Sequence, residues 1–398
     1  MRKRLDEVAD VTKLAGFEFT KYMKYIEDGN IIAIRALNLK GGRLVLNDVK
    51  KISKEVSLEL PRSQLHKYDI VLSYTGTIGE AAQIMEEEKY HLAPNVAKVV
   101  PKKDAIDPIF LFQYIRSHEF RQQMLNYAHG STQPTVPMTT IRALTVPIYG
   151  IKTERKIANI LDSIDKKIEK NTEINENLLQ QAIALFGEAL NRSVNLSYTE
   201  LGALADVKGG KRLPKGVNLI TTRNTHPYIR VRDLNNVVFA SLSADYEYVD
   251  DETQKSIARY IVSAGDVLIS IVGTIGLTAI VDKSLDQANL TENCVKISNL
   301  KGISPEYLLL YLRSPDGIEK IKKGTVGAVQ LKLPIKNIQA IQTPLLSKEE
   351  LDSLDNVLKS IFEQISLNVT ESKSLAEVRD ALLPRLMSGE MDVSCLDF

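Results

Sequence analysis

The chain has 398 residues, of which 44% are hydrophobic and 25% are charged, and its formal net charge is +1. This length fits two domains with connecting helices, and the composition is that of a soluble globular protein. Apolar runs fall short of the roughly 18 residues of a membrane span, and the start, MRKRLDEVADV, lacks the apolar core of a signal peptide. Cys294 and Cys395 lack metal-ligand spacing, so we expect a cytoplasmic protein.

The first half of the chain returns in the second half. Residues 69–79, DIVLSYTGTIG, return as residues 266–276, DVLISIVGTIG, and residues 108–117 return as 305–314. Ordered matches along the whole length indicate a tandem duplication, and a period of about 200 residues is too long for a solenoid. We therefore predict two globular domains at 1–150 and 193–346, each followed by a long helix, at 151–192 and 347–392.

Each copy mixes strands and helices, which predicts an α/β (mixed α+β) fold. Short β-branched runs predict strands, and helical spacing of apolar residues predicts one helix per copy, at 108–127 and 305–323. The predicted strands are 31–36, 69–73 and 97–100 in the first copy and 228–231, 267–271 and 294–297 in the second.

Basic and aromatic residues alternate in residues 13–25, KLAGFEFTKYMKY. This interleaving is typical of nucleic-acid contact, although the aromatic rings equally fit a hydrophobic core. The basic residues are Lys13, Lys21 and Lys24.

The Gly-Thr-Ile-Gly tetrapeptides follow predicted strands directly. Neither is followed by the Lys-Ser/Thr of a phosphate loop, so a structural turn is favoured, and a backbone contact with a DNA phosphate remains open. The sequence has no GxxxxGK[ST], GxGxxG, HExxH, GxSxG or CxxC motif, and its five histidines lack metal spacing. We predict neither a metal site nor a catalytic site, although a site split between the domains would escape this search.

Two long segments, 154–191 and 348–390, carry apolar residues at alternating steps of four and three, which is the seam of a coiled coil. The two stripes superpose with a constant shift of 197 positions, as from Leu161 to Leu358, and each has an Asn that weakens packing but fixes register. The seam residues are Ile157, Leu161, Ile164, Ile168, Asn171, Leu178, Leu185, Leu354, Leu358, Ile361, Ile365, Asn368, Leu375 and Leu382. We expect the helices to pack on each other within the chain, while the heptads alone leave their direction open.

Residues 208–232, KGGKRLPKGVNLITTRNTHPYIRVR, contain seven Lys or Arg and no Asp or Glu. Glycines and Pro214 make this an exposed loop. Such dense positive charge fits a nucleic-acid backbone, and a solvated basic loop is the alternative. The copies agree in their framework segments and differ in these loops, which indicates one scaffold that reads two different targets.

With these features the chain resembles the specificity (S) subunit of bacterial and archaeal type I restriction–modification enzymes. The resemblance covers essentially the whole chain and rests on the duplicated layout and on residues 133–147 and 330–344. Its most specific part is the run AEVRDALLPRLMSGEMDV at 376–393, which is similar to the family's second conserved helical region. RKIANIL at 155–161 resembles the start of the first such region, and GGKRLPKG at 209–216 also looks typical.

The resemblance implies that each globular domain is a target recognition domain for one half of a split DNA sequence. The long helices would form an antiparallel, pseudo-two-fold symmetric coiled coil that sets the spacing and docks two DNA methyltransferase (M) subunits. Motor–nuclease (R) subunits would complete the complex, unless the chain serves a methyltransferase alone. S-adenosylmethionine, ATP and Mg would act in the partner subunits, and this chain would be non-catalytic, without a cofactor or a membrane contact.

The DNA-binding candidates rest on charge and position, because the family's target-reading residues differ between members. Lys and Arg are expected to hold phosphates and polar side chains to read base edges. In the first domain the candidates are Lys13, Lys21, Lys24, Arg35, Ser73, Tyr74, Thr75, Thr77 and Gln133. In the second domain they are Lys208, Lys211, Arg212, Lys215, Arg223, Arg230, Arg232, Ser270, Thr274 and Gln330. Arg35 and Arg230 equally fit internal salt bridges.

A second class of function stays open at this point. The chain would then be a scaffold whose coiled coil pairs between molecules and whose globular domains bind proteins. Salt-dependent retention on duplex DNA discriminates between the two interpretations.

Overall fold

The computed structural model describes residues 1–130, 133–243, 245–328 and 330–393. Cys395 lies outside these residues. The chain divides into two compact units, Met1–Glu169 with Ser372–Phe398, and Lys170–Glu371. Each unit contains one globular domain and the adjoining part of both long helices. Within the described ranges, no helix combines the length and apolarity that a membrane crossing requires.

The first domain folds from short strands and helices that precede the first long helix. Its strands are β1 (Arg2–Arg4), β2 (Ala9–Lys13), β3 (Ile31–Ile34), β4 (Leu39–Lys40), β5 (Arg43–Leu44), β6 (Lys50–Ile52), β7 (Gln64–Leu65), β8 (Ile70–Ser73), β9 (Ala81–Gln83), β10 (Tyr90–Leu92), β11 (Val96–Pro101) and β12 (Thr145–Pro147). Its helices are α1 (Leu5–Val8), α2 (Gly16–Tyr22), α3 (Lys54–Glu59), α4 (Pro108–Ile115), α5 (His118–Leu125) and α6 (Met138–Ala143).

Two four-stranded sheets, in the orders β2-β11-β8-β9 and β6-β3-β10-β7, organise this domain. Strand β8 is buried on both faces, which explains its continuous apolar sequence. Because successive side chains alternate across a strand, Ile70 and Leu72 enter the core beneath α4 and α5, while Val71 enters the core shared with the second sheet.

The second domain repeats this construction. Its strands are β13 (Ser197–Glu200), β14 (Asp206–Gly209), β15 (Tyr228–Ile229), β16 (Phe239–Ala240), β17 (Val267–Ser270), β18 (Thr278–Val281), β19 (Asn289–Leu290), β20 (Cys294–Ser298) and β21 (Gln342–Leu345). Its helices are α8 (Leu201–Leu204), α9 (Asp251–Ile257), α10 (Pro305–Arg313), α11 (Pro315–Gly324) and α12 (Ile335–Gln339). The main sheet has the order β14-β20-β17-β18-β16, and Val267 and Leu268 enter different cores, as in β8.

The prediction of one helix at 108–127 and one at 305–323 is wrong, because each segment forms two helices. Ser117 and Ser314 begin the second helix of each pair. Their hydroxyls accept hydrogen bonds from the amides of Phe120 and Gly317, at 3.2 and 3.1 Å. Pro315 also keeps the residue before it out of the helical conformation.

The long helices are α7 (Ile151–Arg192) and α13 (Lys348–Ser388). In the first unit, Leu161 near the start of α7 shares a core with Leu386 near the end of α13. In the second unit, Phe186 near the end of α7 shares a core with Leu354 near the start of α13. The helices are therefore antiparallel in both units, which confirms the predicted fold of two tandem domains joined by a coiled coil.

The seam follows the prediction except near the end of α7. Leu185 is 36% exposed, and Ala182 and Phe186 are buried in its place. An α-helix has 3.6 residues per turn, so a strict seven-residue repeat drifts by about 20° per heptad, and steps of four keep the contact face aligned here. The buried predicted positions are Ile157, Leu161, Asn171, Leu354, Leu358, Ile365 and Asn368. Those of intermediate burial are Ile164, Ile168, Leu178, Ile361, Leu375 and Leu382.

Polar side chains interrupt the seam in the second unit. Asn171 Nδ2 donates to Glu371 Oε2 at 2.7 Å, and Asn368 Nδ2 donates to Asn175 Oδ1 at 2.8 Å. A shifted register would separate these partners and bury them without hydrogen bonds, so the cluster specifies one register.

Candidate nucleic-acid interface

A sharp turn follows β8 in the first domain. Gly76 and Gly79 have φ values of +77° and +87°, which favour glycine. Their amides donate to the carbonyl oxygens of Pro134 and Ser73, each at 3.0 Å. Because these amides are already bonded within the domain, the geometry favours a structural turn over a phosphate loop.

Residues 133–136 lie against this turn, although about 60 positions separate the two segments in the sequence. The amide of Val136 donates to the carbonyl oxygen of Tyr74 at 2.9 Å. The hydroxyl of Thr135 donates to that of Thr75 at 3.2 Å. The fold thus brings Gln133 to the predicted turn.

Positive charge flanks the same place. Lys13 ends β2, and its ammonium nitrogen lies 5.7 Å from the centre of the Tyr74 ring. Lys21 and Lys24, in and just after α2, are exposed. The sheet order brings Lys13 beside the turn, because β2 and β8 both pair with β11.

The aromatic residues of the first basic segment divide between the two interpretations of that segment. Phe19 and Tyr22 pack against a hydrophobic core. Phe17 is 70% exposed at the first turn of α2. The spacing in sequence could not make this distinction, because it depends on which face of α2 meets the sheet.

In the second domain, the basic loop begins at the equivalent strand end. The amide of Gly210 donates to the carbonyl oxygen of Cys294 at 3.0 Å. A Cβ at Gly210 would lie 2.1 Å from the carbonyl oxygen of Thr291. Only glycine lets the loop pass this close to the neighbouring backbone.

Two further segments complete this edge of the second domain. The amide of Ile271 donates to the carbonyl oxygen of Asn293 at 2.8 Å. The amide of Leu333 donates to the carbonyl oxygen of Ile271 at 3.0 Å. The basic loop, the second Gly-Thr-Ile-Gly turn and the loop at 330–333 therefore meet at one edge, as their counterparts do in the first domain.

The basic loop is less positive than its sequence indicates. Acidic residues outside the segment, distant in sequence or just beyond its ends, neutralise four of its seven basic side chains. The pairs are Lys208–Asp206 at 2.9 Å, Arg212–Glu292 at 2.8 Å, Arg232–Glu247 at 3.9 Å, and Arg230–Glu247. The absence of acids within 208–232 therefore overstated the charge of the surface.

Three candidates in this loop keep their charge exposed. Lys215 and Arg223 make no ion pair with any part of the chain that the structure describes. The ammonium nitrogen of Lys211 lies 5.5 Å from the centre of the Tyr260 ring. These residues keep the positive charge of the loop.

Arg35 and Arg230 form ion pairs within their own domains. Arg35 donates to the carbonyl oxygen of Asp48 at 2.8 Å and lies 3.3 Å from its carboxylate. Arg230 pairs with Glu247, and its amide donates to Asp233 at 2.7 Å. Burial raises the pKa of Asp233 to about 6. The geometry thus favours the internal salt-bridge interpretation of both arginines.

Four of the polar candidates for base reading are buried and shape the turns instead of facing solvent. They are Ser73, Tyr74, Thr75 and Ser270. The Ser270 hydroxyl donates to the carbonyl oxygen of Thr274 at 2.6 Å and accepts from the amide of Leu277 at 2.9 Å. The exposed polar candidates are Thr77, Gln133, Thr274 and Gln330.

The structure also adds basic residues that sequence reasoning missed. Arg62 and Arg259 are exposed at equivalent positions, in the 3-10 turns Pro61–Ser63 and Ala258–Tyr260. The guanidinium carbon of Arg259 lies 5.1 Å from the centre of the Tyr260 ring, which Lys211 also contacts. Lys332 is exposed in the loop at 330–333. Arg62 and Arg259 repeat with the shift of 197 positions, and this signal could have identified them.

Comparisons with known proteins point in one direction. The family model for the type I restriction modification DNA specificity domain matches the chain twice, at residues 1–180 and 194–376. The HindI type I restriction enzyme specificity subunit of Haemophilus influenzae is 24% identical, over 76% of this chain and 82% of that protein. The MjaIX specificity subunit of Methanocaldococcus jannaschii is 20% identical, over 87% of this chain and 82% of that protein.

A solved structure shows the same fold. The S subunit of a type I restriction–modification system from M. genitalium superposes with a TM-score of 0.55 and 16% identity. The match covers 99% of this chain and 96% of that chain. Since the family model spans most of the chain, in two tandem copies, the chain belongs to the family of type I restriction–modification DNA specificity subunits.

Proposed function

We propose that this chain is the DNA-reading subunit of a type I restriction–modification complex, in which each domain reads one half of a bipartite duplex target. One observation carries this proposal. In both domains, the Gly-Thr-Ile-Gly turn with its exposed threonine meets a loop with an exposed glutamine, and a basic segment begins at the neighbouring strand end. A duplicated basic edge on each of two domains suits a target with two halves.

The edge has the chemistry that duplex recognition needs. Lys13, Lys21, Lys24, Lys211, Lys215 and Arg223 hold phosphates and set the position of each domain on the duplex. Thr77, Gln133, Thr274 and Gln330 are the side chains that read base edges, because their hydroxyl and amide groups both donate and accept hydrogen bonds. The chain itself makes or breaks no bond in this proposal.

The coiled coil sets the distance between the half-sites and docks two methyltransferase subunits. The hydrogen bonds of Asn171 with Glu371 and of Asn368 with Asn175 support this role, because a coiled coil that sets a distance needs one fixed register. S-adenosylmethionine, ATP and Mg belong to the partner subunits, and a motor–nuclease partner is needed only for restriction. The reaction then takes place on DNA in the cytoplasm.

A genome-wide map of methylated bases tests this function. Cells would express the chain with its neighbouring methyltransferase, and then a variant in which residues 197–345 come from a related chain. The expected result is a split motif in which one half changes and the other half stays. A continuous motif, or a motif that the exchange leaves unchanged, would contradict the proposal and favour a protein-binding scaffold.

A further inference from the structure

The two domains are attached to the long helices by different chemistry. On the first turns of each long helix, equivalent positions face the domain that precedes the helix. They are Glu154, Ile157, Leu161 and Asp165 in α7, and Leu351, Leu354, Leu358 and Phe362 in α13. In the second unit all four contact residues are apolar. In the first unit the two outer residues, Glu154 and Asp165, carry carboxylates.

Asp165 lies at the centre of a charged cluster in the first unit. Its carboxylate accepts hydrogen bonds from Arg116 Nη1 at 2.6 Å, Gln113 Nε2 at 2.8 Å and Arg379 Nη1 at 2.8 Å. Arg116 and Gln113 belong to the end of the domain helix α4, and Arg379 belongs to α13. One carboxylate thus connects the domain to both long helices.

The cluster is largely shielded from solvent. The side chains of Arg116, Asp165 and Arg379 are 14%, 19% and 19% exposed. Burial alone would raise the pKa of Asp165, but Arg116, Gln113 and Arg379 together hold it below its usual range. Asp165 is therefore ionised at neutral pH and pairs with two largely buried cations, of which Arg379 also pairs with Asp380 at 2.7 Å.

The surroundings of Asp165 are not close-packed. A cleft of ≈ 340 Å³ adjoins the cluster and is lined in part by Arg43, Phe112 and Lys166. The continuous apolar contact of α7 with the domain ends one turn earlier, at Leu161. At this turn of the helix, the ion pairs hold the domain in place of apolar packing.

The second unit lacks this arrangement at the equivalent positions. Gln113, Arg116, Asp165 and Arg379 correspond to Leu310, Arg313, Phe362 and Ala182. Phe362 is buried against Phe239, with ring centres 6.2 Å apart. Arg313 donates to the hydroxyl of Thr278 at 3.0 Å and to the carbonyl oxygen of Val237 at 2.6 Å.

From this contrast we propose that Asp165 is a positioning residue, an ionic latch that fixes the first recognition domain on α7 and α13 and so restricts the spacer length between the half-sites. This inference rests on the proposed function. Without the carboxylate, Arg116 loses its ion pair and Arg379 keeps only the exposed Asp380 as an acidic partner. The domain then keeps its apolar contacts with Ile157 and Leu161 of α7 and with Leu386 and Met387 of α13. It loses the ionic contact one turn further along α7, and its orientation on the helices becomes variable.

The test uses the full chain in complex with its methyltransferase. Duplexes carry the mapped target with the native spacer or with a spacer one base pair longer or shorter. Asp165→Asn is expected to leave the two half-sites unchanged and to raise methylation of the altered spacers relative to the native spacer by about tenfold, since removing one partner of a buried ion pair is strongly unfavourable.

A second variant keeps the test decisive if Asp165→Asn folds poorly. The triple variant Gln113→Leu, Asp165→Phe and Arg379→Ala transfers the apolar residues of the second unit to the first. It is expected to restore the native preference for one spacer. Phe362→Leu keeps the second contact apolar and serves as the matched control, with an unchanged spacer profile.

The possible outcomes are distinct. If Asp165→Asn binds and methylates with the native spacer profile, the residue has no positioning role and the proposal is overturned. Wider spacer tolerance in Phe362→Leu as well would also overturn it, because the effect would then not depend on the ionic contact. Failure of the wild-type complex to methylate any split target would instead contradict the proposed function itself.

Discussion

In the first domain, the positive charge of the edge comes from a strand end and a short helix, whereas in the second domain it comes from an irregular loop. Lys13, Lys21 and Lys24 make no ion pair with the described residues of the chain. In the second domain, acidic neighbours hold four of the seven basic side chains of the loop. The same framework therefore supports two surfaces of different charge and shape.

This difference shows how a duplicated scaffold acquires two specificities. The strands and turns that position the edge are shared, because their apolar residues are fixed by the cores on both faces of the sheet. In the basic loop, Leu213 and Leu219 pack on a small core, whereas the exposed residues between them are free to change in number and charge. Three predictions test this view, from the largest expected effect to the smallest.

The close backbone approach at Gly210 is expected to be essential for the second edge. Gly210→Ala places a Cβ 2.1 Å from one carbonyl oxygen and 2.4 Å from another, and neither backbone group can move away cheaply. We expect a loss of about 3 kcal/mol of stability, the upper end for overpacking, and loss of recognition of the second half-site only. Denaturant unfolding and methylation mapping measure the two effects.

Gly209→Ala is the matched control for this prediction. A Cβ at Gly209 would meet only the Cδ1 atom of Ile335, at an ordinary distance of 3.4 Å. The variant should keep its stability to within about 1 kcal/mol. Equal losses in both variants would mean that the loop tolerates no substitution at all, and the close approach would not be the reason.

Cations without an acidic partner are expected to matter more for DNA affinity than paired cations. Lys211→Ala should weaken binding to all sequences and reduce the slope of log K against log salt by about 1. Lys208→Ala should have a smaller effect, because Asp206 already neutralises Lys208. Titration of labelled duplex at several salt concentrations measures both slopes.

Lys359→Ala, an exposed lysine on α13, is the control for a general loss of charge. Its salt slope should equal that of the wild type. If Lys208→Ala and Lys211→Ala reduce the slope equally, the ion pairs seen in the second domain do not govern its charge toward DNA.

The smallest expected effect is a pH dependence from Asp233. Burial raises the pKa of this carboxyl group to about 6 in the folded protein, from an ordinary value of 3.8. Between these pH values the folded state holds a proton that the unfolded state has lost. The free energy of unfolding therefore falls as the pH rises from about 4 to about 6.

Asp233→Asn removes this pH-dependent part of the free energy of unfolding, because the side-chain amide of Asn does not titrate in that range. Its oxygen still accepts the hydrogen bond that the amide of Arg230 donates to Asp233 at 2.7 Å. Denaturant unfolding of both proteins at several pH values between about 4 and 7 gives the difference. An identical pH dependence in the two proteins would show that the carboxyl group keeps its ordinary pKa in the folded state.

Internal comparison of the sequence predicted much of the framework. The three predicted strands of each copy are present. Strands β8 and β17 are buried on both faces inside a sheet, as their apolar β-branched sequences predict, whereas β15 has two residues and pairs with β19 alone. The helix boundaries were harder, since Ser117 and Ser314 begin a second helix without breaking the apolar pattern. The prediction that Leu185 lies on the seam was wrong, because heptad counting ignores the slow drift of the contact face around the helix.

The candidate interface was less predictable. Charge counted along residues 208–232 indicated a surface of one sign, but Glu247 and Glu292 reach that surface from other segments. Ser73 and Ser270 were chosen because they lie at strand ends, and only the folded turn shows that their hydroxyls are used internally. Burial and ion pairing both depend on residues far away in the sequence.

The sequence by itself determined the duplication, the α/β domains, the two long helices and the family, because each of these leaves a periodic or repeated pattern along the chain. Only the tertiary structure decided which cations keep their charge, where the three segments of each edge meet, and that an ionic contact holds the first domain where an apolar contact holds the second. These properties depend on distances between side chains from separate segments, and a linear pattern does not contain those distances.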